Sequence, residues 1–144
     1  MKIRKGKVSD AKALLKILTS TNELQAGEDV GVYDLIWMKN VLSKQKDNFS
    51  FILEDKGKIA GFIIAHYLRS VGQVIINDTY VNPIYRRRGL ASRLTLEIEK
   101  FARKKKVKNI TSLIQTSNKK MQHLKEKLGY KRGEALYFYE KLLK

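Results

Sequence analysis

The run Val81-Asn82-Pro83-Ile84-Tyr85-Arg86-Arg87-Arg88-Gly89-Leu90-Ala91-Ser92 joins a proline stop, three consecutive arginines and a small-residue step. Where such a run opens a helix it suits a phosphate. The first N–H groups of a helix are unpaired and carry partial positive charge, and arginine adds forked donors. Gly89 and Ala91 would let the backbone approach a ligand closely. The glycine spacing is neither G-x-x-x-x-G-K-S/T nor G-x-G-x-x-G, so the local residues also fit an ordinary basic strand–loop–helix junction. Just upstream, Asp78 is the one carboxylate between Asp55 and Glu97. It is either structural, a base acting through a water, or a site for a cationic group. A second acidic feature lies between Lys16 and Lys39, where no Lys or Arg occurs but Glu23, Glu28, Asp29 and Asp34 do. That island is either a solvated loop or a place for a cation.

The elements needed to hold these residues are legible from periodicity. Met1 to Lys5 reads as a strand, and Ser9 or Asp10 caps a helix through Ala11, Leu14, Leu15 and Leu18. Thr19 to Gly31 reads as a loop and Tyr33 to Lys46 as a second helix. Phe49 to Glu54 and Lys58 to Leu68 form a hairpin around Asp55-Lys56-Gly57. Gln73 to Asn82 is a strand stopped by Pro83. Residues 89–106 carry Leu90, Leu94, Ile98, Phe101 and Ala102 on one helical face. Asn109 to Gln115 reads as strand, Asn118 to Leu128 as helix ended by Gly129, and Leu136 to Leu142 as a last strand. The order is β-α-α-β-β-β-α-β-α-β, without repeat or linker, which predicts one α/β domain over residues 1–144.

Several chemistries are excluded. The chain has 144 residues and no cysteine, so no thiolate metal site or acyl-cysteine is available. Its two histidines, His66 and His123, are far apart in sequence and make no metal cluster alone. No apolar run approaches the roughly 18 residues of a membrane helix, and Met1 to Lys5 lacks the apolar core of a signal peptide. A cytoplasmic protein with no membrane or metal partner is expected. The net charge of +16 points to anionic partners, and most of it lies in residues 99–144, with 14 basic against 4 acidic side chains.

Val81-x-Pro83-x-x-Arg86-x-x-Gly89-x-Ala91 resembles the acetyl-CoA signature R/Q-x-x-G-x-G/A of the GNAT superfamily of N-acetyltransferases. Asn118, followed by Lys127-Leu128-Gly129-Tyr130, resembles that superfamily's second region, N-x-x-A-…-Y-E-K-L-G-F/Y. The resemblance spans essentially the whole chain. It implies a mixed, mostly antiparallel sheet flanked by about four helices, with strands splayed at the acetyl-CoA site. It also implies roles. The backbone of Thr79, Tyr80 and Val81 would bond the pantetheine arm, and Arg86, Arg87, Arg88, Gly89, Leu90, Ala91 and Ser92 would hold the pyrophosphate. Asn118 would contact the pantetheine or order the helix that follows. An amine would attack the thioester directly, with acetyl-CoA as co-substrate and no metal.

The sequence departs from the family at the catalytic groups. Alignment on Leu128-Gly129-Tyr130 puts Lys125 where many relatives carry an acidic tyrosine; Tyr130, Tyr137 and Tyr139 are substitute acids. Leu113 stands where relatives acting on protein N-termini carry glutamate. Relatives acting on polyamines read E-D-x-F/Y-F/Y-V on the fourth strand, against Asn77-Asp78-Thr79-Tyr80-Val81 here. Asp78 is retained and Asn77 cannot take a proton. The leading expectation is acetyl transfer to a primary amine of a cationic small molecule or peptide, with Glu23, Glu28, Asp29 and Asp34 at the acceptor. The alternatives are a basic nucleic-acid- or ribosome-associated module using Arg103 to Lys106 and Lys119-Lys120, and a CoA-binding domain without turnover. Between monomer and homodimer the sequence does not choose.

Overall fold

A computed structural model describes residues 1–21, 24, 34–44 and 46–143. Five strands, β1 (Lys2–Lys5), β2 (Asn48–Asp55), β3 (Lys58–Leu68), β4 (Gln73–Val81) and β5 (Asn109–Ser112), form one sheet in sequence order. The first four pair antiparallel, whereas β4 and β5 are parallel. Helices α1 (Ala11–Ser20) and α2 (Leu35–Ser43) cover one face; α3 (Leu90–Lys104) covers the other, with α4 (Lys119–Lys127) following β5. The architecture is the expected mixed α/β sheet.

Burial on both faces explains why β2 and β3 read as nearly unbroken apolar runs. Phe51, Leu53, Ile63 and Ala65 pack under Leu90, Leu94, Ile98 and Ala102 of α3. Ile52, Phe62 and Ile64 pack under Leu14 and Leu18 of α1 and Met38 and Leu42 of α2. Each of these Leu, Ile, Phe and Met side chains, when fully buried, contributes about 1.5–3 kcal/mol relative to exposure. The hairpin turn uses Lys56 and Gly57, both at positive φ (49° and 78°), as a two-residue turn with matching twist requires. At the N-terminus the Arg4 fork reaches both Asp10 oxygens at 2.9 Å and Glu54 at 3.1 Å, tying β1 to β2 and to the entry of α1. Burial alone would raise the Asp10 carboxyl; the Arg4 fork and the Lys7 N–H outweigh it and hold it below the usual range.

β4 carries the feature that shapes the site. Ile64 faces Asp78, but its neighbour Ala65 faces Ile76, so Asn77 is an extra residue bulged out of the ladder. The bulge reverses the alternation. Val74 and Ile76 point to the α3 face before it; Val81 points there after it, leaving Asp78 and Tyr80 on the α1–α2 face with their partners Ile64 and Phe62. The Tyr80 and Phe62 rings stack there at 5.6 Å.

One expected element is corrected. Residues Leu136 to Leu142 have strand-like composition, but the structure gives them no strand, and they extend exposed beyond α4. A strand exists only through a paired neighbour, and among the described residues these make no ladder.

Candidate active site

Register makes the cleft. β4 pairs with β5 from Gln73↔Asn109 to Ile76↔Ser112, and the last bond runs from Leu113 N–H to Ile76 C=O. Beyond Ile76 the ladder ends, although β4 continues to Val81 alongside β3. The two strands therefore splay, and the β5-facing polar edge of residues 77–81 is left without a strand partner among the described residues. A cleft of about 830 Å³ opens there, lined by Thr79, Tyr80, Val81, Arg86, Gly89 and Ala91 on one side and Gln115, Ser117 and Asn118 on the other.

Two helix starts meet at this cleft. Asn82 receives the Ile84 N–H on its side chain and turns the chain out of β4 through Pro83–Tyr85. Arg86 folds back, its Nε donating to the Val81 carbonyl at 2.8 Å. Arg87 (φ 65°) and Gly89 (φ 69°) both take left-handed backbone, which swings the chain into α3. The first bond of that helix runs from Arg93 N–H to the Gly89 carbonyl, so the N–H groups of Leu90, Ala91 and Ser92 precede the ladder. Across the cleft, the Asn118 side chain accepts the Met121 N–H at 3.2 Å and caps α4.

The chain matches the model of the acetyltransferase (GNAT) family over residues 12–130. It belongs to that family. The comparison with curated proteins finds no match. Among solved structures, the aminoglycoside acetyltransferase AAC(6')-Iy in complex with a bisubstrate analogue superposes with a TM-score of 0.76 at 22% identity, over 99% of this chain and 98% of that one. A ribosomal-protein-alanine N-acetyltransferase from Brucella melitensis biovar Abortus 2308 gives 0.77 at 17% identity, over 97% and 98%. The aminoglycoside 6'-N-acetyltransferase AAC(6')-IG from Acinetobacter haemolyticus gives 0.75 at 18%, covering all of both chains. At these identities the likeness is one of fold.

For a GNAT acetyltransferase the donor is acetyl-CoA, and the residues present fit it. The unladdered N–H groups of Leu90 to Ser92 suit a pyrophosphate, and an extended pantetheine amide chain matches the unpaired β4 edge. Lys119 and Lys120 also line the cleft, adding charge opposite Arg86 and Arg87. The nucleic-acid alternative drew on this same pair; their position directly after the capping Asn118 is what brings them to the cleft. Leu24, Met121 and Leu124 complete the apolar lining and carried no separate signal. Arg88 instead lies over the Tyr85 ring at 5.8 Å, and Tyr85 donates to Asp55 at 2.8 Å.

The expected catalytic groups are not gathered together. Asp78 is half-buried on the α1–α2 face, adjacent to Thr79 of the cleft, and burial pushes its carboxyl up to about 6. Lys125 is 3% exposed and donates to Thr95 Oγ1 of α3 at 3.1 Å, with the Tyr130 ring 5.1 Å away. Burial lowers its ammonium to about 8, although Glu99 opposes the shift. Lys125 and Tyr130 line a separate groove beyond β5, and Tyr139 projects into solvent. Burial, reinforced by Glu99, raises the Tyr130 hydroxyl well above the ordinary phenol range. Asp34 is exposed and caps α2 by accepting the Trp37 N–H at 2.8 Å; Glu23, Glu28 and Asp29 lie outside the described residues. His66 is bonded to Asn48 near the far end of β3.

Proposed function

We propose that this acetyltransferase acetylates a primary amine on a cationic acceptor, with Asp78 as the group that receives the amine. The observation that carries the reading is the position of this carboxylate. It is next to Thr79 of the donor cleft, yet it faces the α1–α2 side together with Tyr80, about 6–7 Å along the strand from it. A carboxyl titrating near 6 is mostly ionised at neutral pH, so it attracts an ammonium and still accepts its proton. The transfer exchanges the thioester C–S bond for a C–N bond. The ammonium nitrogen loses two protons in becoming an amide, one to Asp78 directly or through a water and one to solvent, and the departing thiolate gains one. In this reading the proton on the thiol comes from solvent, because Lys125, Tyr130 and Tyr139 are outside the donor cleft.

The acidic run Glu23, Glu28 and Asp29 supports a polycationic acceptor, since it enters the chain between the two helices that cover the Asp78 face. Polyamines, lysine side chains and basic peptides fit that chemistry; the aminoglycosides named for similar folds join them. Thiol release from acetyl-CoA with a panel of these amines and neutral amino acids is the test. Polycationic amines are expected to turn over with clear preference. Charge reversal at Glu23, Glu28 and Asp29 is expected to raise the acceptor KM and spare that of acetyl-CoA. Equal rates with neutral amines would sink the cationic reading, and CoA binding without thiol release would favour a non-catalytic domain.

A further inference from the structure

α3 ends in Arg103-Lys104-Lys105-Lys106, a basic run that the donor cleft does not use. The cleft lies at the start of this helix, which is about 22 Å long, so the run sits at the opposite end of the sheet. Other elements bring more charge to that end. Lys5 of β1 places its ammonium 5.1 Å from the centre of the Phe101 ring, and Lys105 does so at 5.8 Å. Lys108 precedes β5 and donates its N–H to the Gly72 carbonyl at 3.0 Å, with its stem against that glycine. The nearby arginines are neutralised, Arg69 by Asp47 at 2.9 Å and Arg103 by Glu99 at 3.4 Å. The lysines are not. Lys5, Lys104, Lys105, Lys106 and Lys108 are all exposed, and none pairs with a carboxylate among the described residues.

Complementing the helix end does not account for them, because its partial charge is only about half a unit against these several ammonium groups. The backbone points the same way. The Lys106 N–H bonds the Arg103 carbonyl at 3.0 Å and the Val107 N–H bonds that of Ala102 at 3.1 Å, the paired bonds of a Schellman cap, with Lys106 in left-handed backbone (φ 57°). α4 closes with the same pair of bonds, from Gly129 to Glu126 and from Tyr130 to Lys125, and there a glycine holds the left-handed position (φ 93°). α3 thus keeps a charge where glycine would relieve strain. We propose that this end of the sheet is a second polyanion site, which holds the phosphodiester backbone of a nucleic acid without reading its sequence. The ammonium groups come from β1, the end of α3 and the segment before β5, so they form a surface that suits an extended polyanion better than a single phosphate. Bases find no stacking platform, since Phe101 and Tyr67 are half-buried with cations already over their rings. A membrane is the poorer fit, because the apolar stripe of α3 is buried in the core and residues 103–106 hold no apolar side chain to insert.

Fluorescence anisotropy of a short labelled RNA duplex, and of the same sequence as DNA, with the whole chain tests the proposal. Binding is expected whatever the sequence, with the logarithm of the association constant falling by about 4–5 per tenfold rise in salt if each lysine meets one phosphate. The tighter of the two duplexes identifies the source. Lys104→Ala with Lys105→Ala should reduce that slope by about 2 and leave the acetyl-CoA KM unchanged. Lys106→Gly is the sharper probe. It should raise Tm, because strain is relieved, yet weaken binding by roughly five- to tenfold at 0.1 M salt and reduce the slope by about 1. Undiminished binding in both variants would overturn the proposal. So would displacement of the duplex by saturating acetyl-CoA, which would place it in the donor cleft, or capture by phosphatidylserine vesicles without binding to either duplex.

Discussion

Asp78 and Lys125 are ionisable groups that burial shifts in opposite directions, one up to about 6 and the other down to about 8. If Asp78 takes the amine proton, it must be ionised first, so kcat/KM should rise with pH through about 6 and level above it. Asp78→Asn should lower kcat by about 10²–10⁴-fold and abolish that limb. A profile unchanged in the variant would remove Asp78 from the reaction. Lys125 reads as a stability statement. Between its folded value near 8 and the unfolded value of 10.5, the unfolded chain binds more protons, so its contribution to stability rises with pH across that window. At pH 7 its charge is buried beside Thr95, Glu99 and Tyr130. Lys125→Met should therefore stabilise by about 1–3 kcal/mol at pH 7 and show a smaller gain at pH 10, measured by denaturant unfolding. Neither environment was visible in the sequence, since each depends on a residue far along the chain.

Among the elements, α3 and its leading turn were the most legible. Leu90, Leu94, Ile98 and Ala102 repeat every four residues, and the proline, arginines and glycine mark the junction chemically. The β4 bulge left no comparable mark. It shows only when Ile64 and Ala65 are matched to their partners, because one extra residue looks like any other in a strand-forming run. The last strand failed for a related reason: composition reports strand propensity, while pairing depends on where a neighbour lies. Gly61 tests how tightly β3 controls the cleft. A Cβ there would sit 2.5 Å from the Tyr80 carbonyl and 3.3 Å from Val81 Cα, both backbone atoms that cannot rotate aside. Gly61→Ala should cost about 1–3 kcal/mol and raise the acetyl-CoA KM by moving the Thr79–Val81 wall. Unfolding and steady-state kinetics check the two parts; an unchanged KM would separate β3 from the donor site.

For the molecule as a whole, the excess of positive charge is partly accounted for by position. Arg86, Arg87, Lys119 and Lys120 converge on one cleft from two helix starts. Their attraction for a polyanionic donor is screened by salt, with a Debye length of about 10 Å at 0.1 M. Raising salt should increase the acetyl-CoA KM several-fold, and Lys119→Glu with Lys120→Glu should flatten that dependence while leaving thermal stability nearly intact. A salt response identical in the variant would assign the steering to the arginines alone. Charge totals in the sequence could not divide these lysines from Arg103 to Lys106 at the other end of α3, since only the fold sets which cluster faces the cleft.

Asn77 itself is exposed, so replacing its side chain should be nearly neutral. Removing the residue altogether is another matter. The strand would fall out of phase: either Val74 and Ile76 rotate out of the α3 core, or Asp78 is driven under α3 without a partner for its charge. The spacer thus uncouples the two halves of β4. Packing upstream can drift without re-aiming the groups downstream, provided the count of residues between them stays fixed.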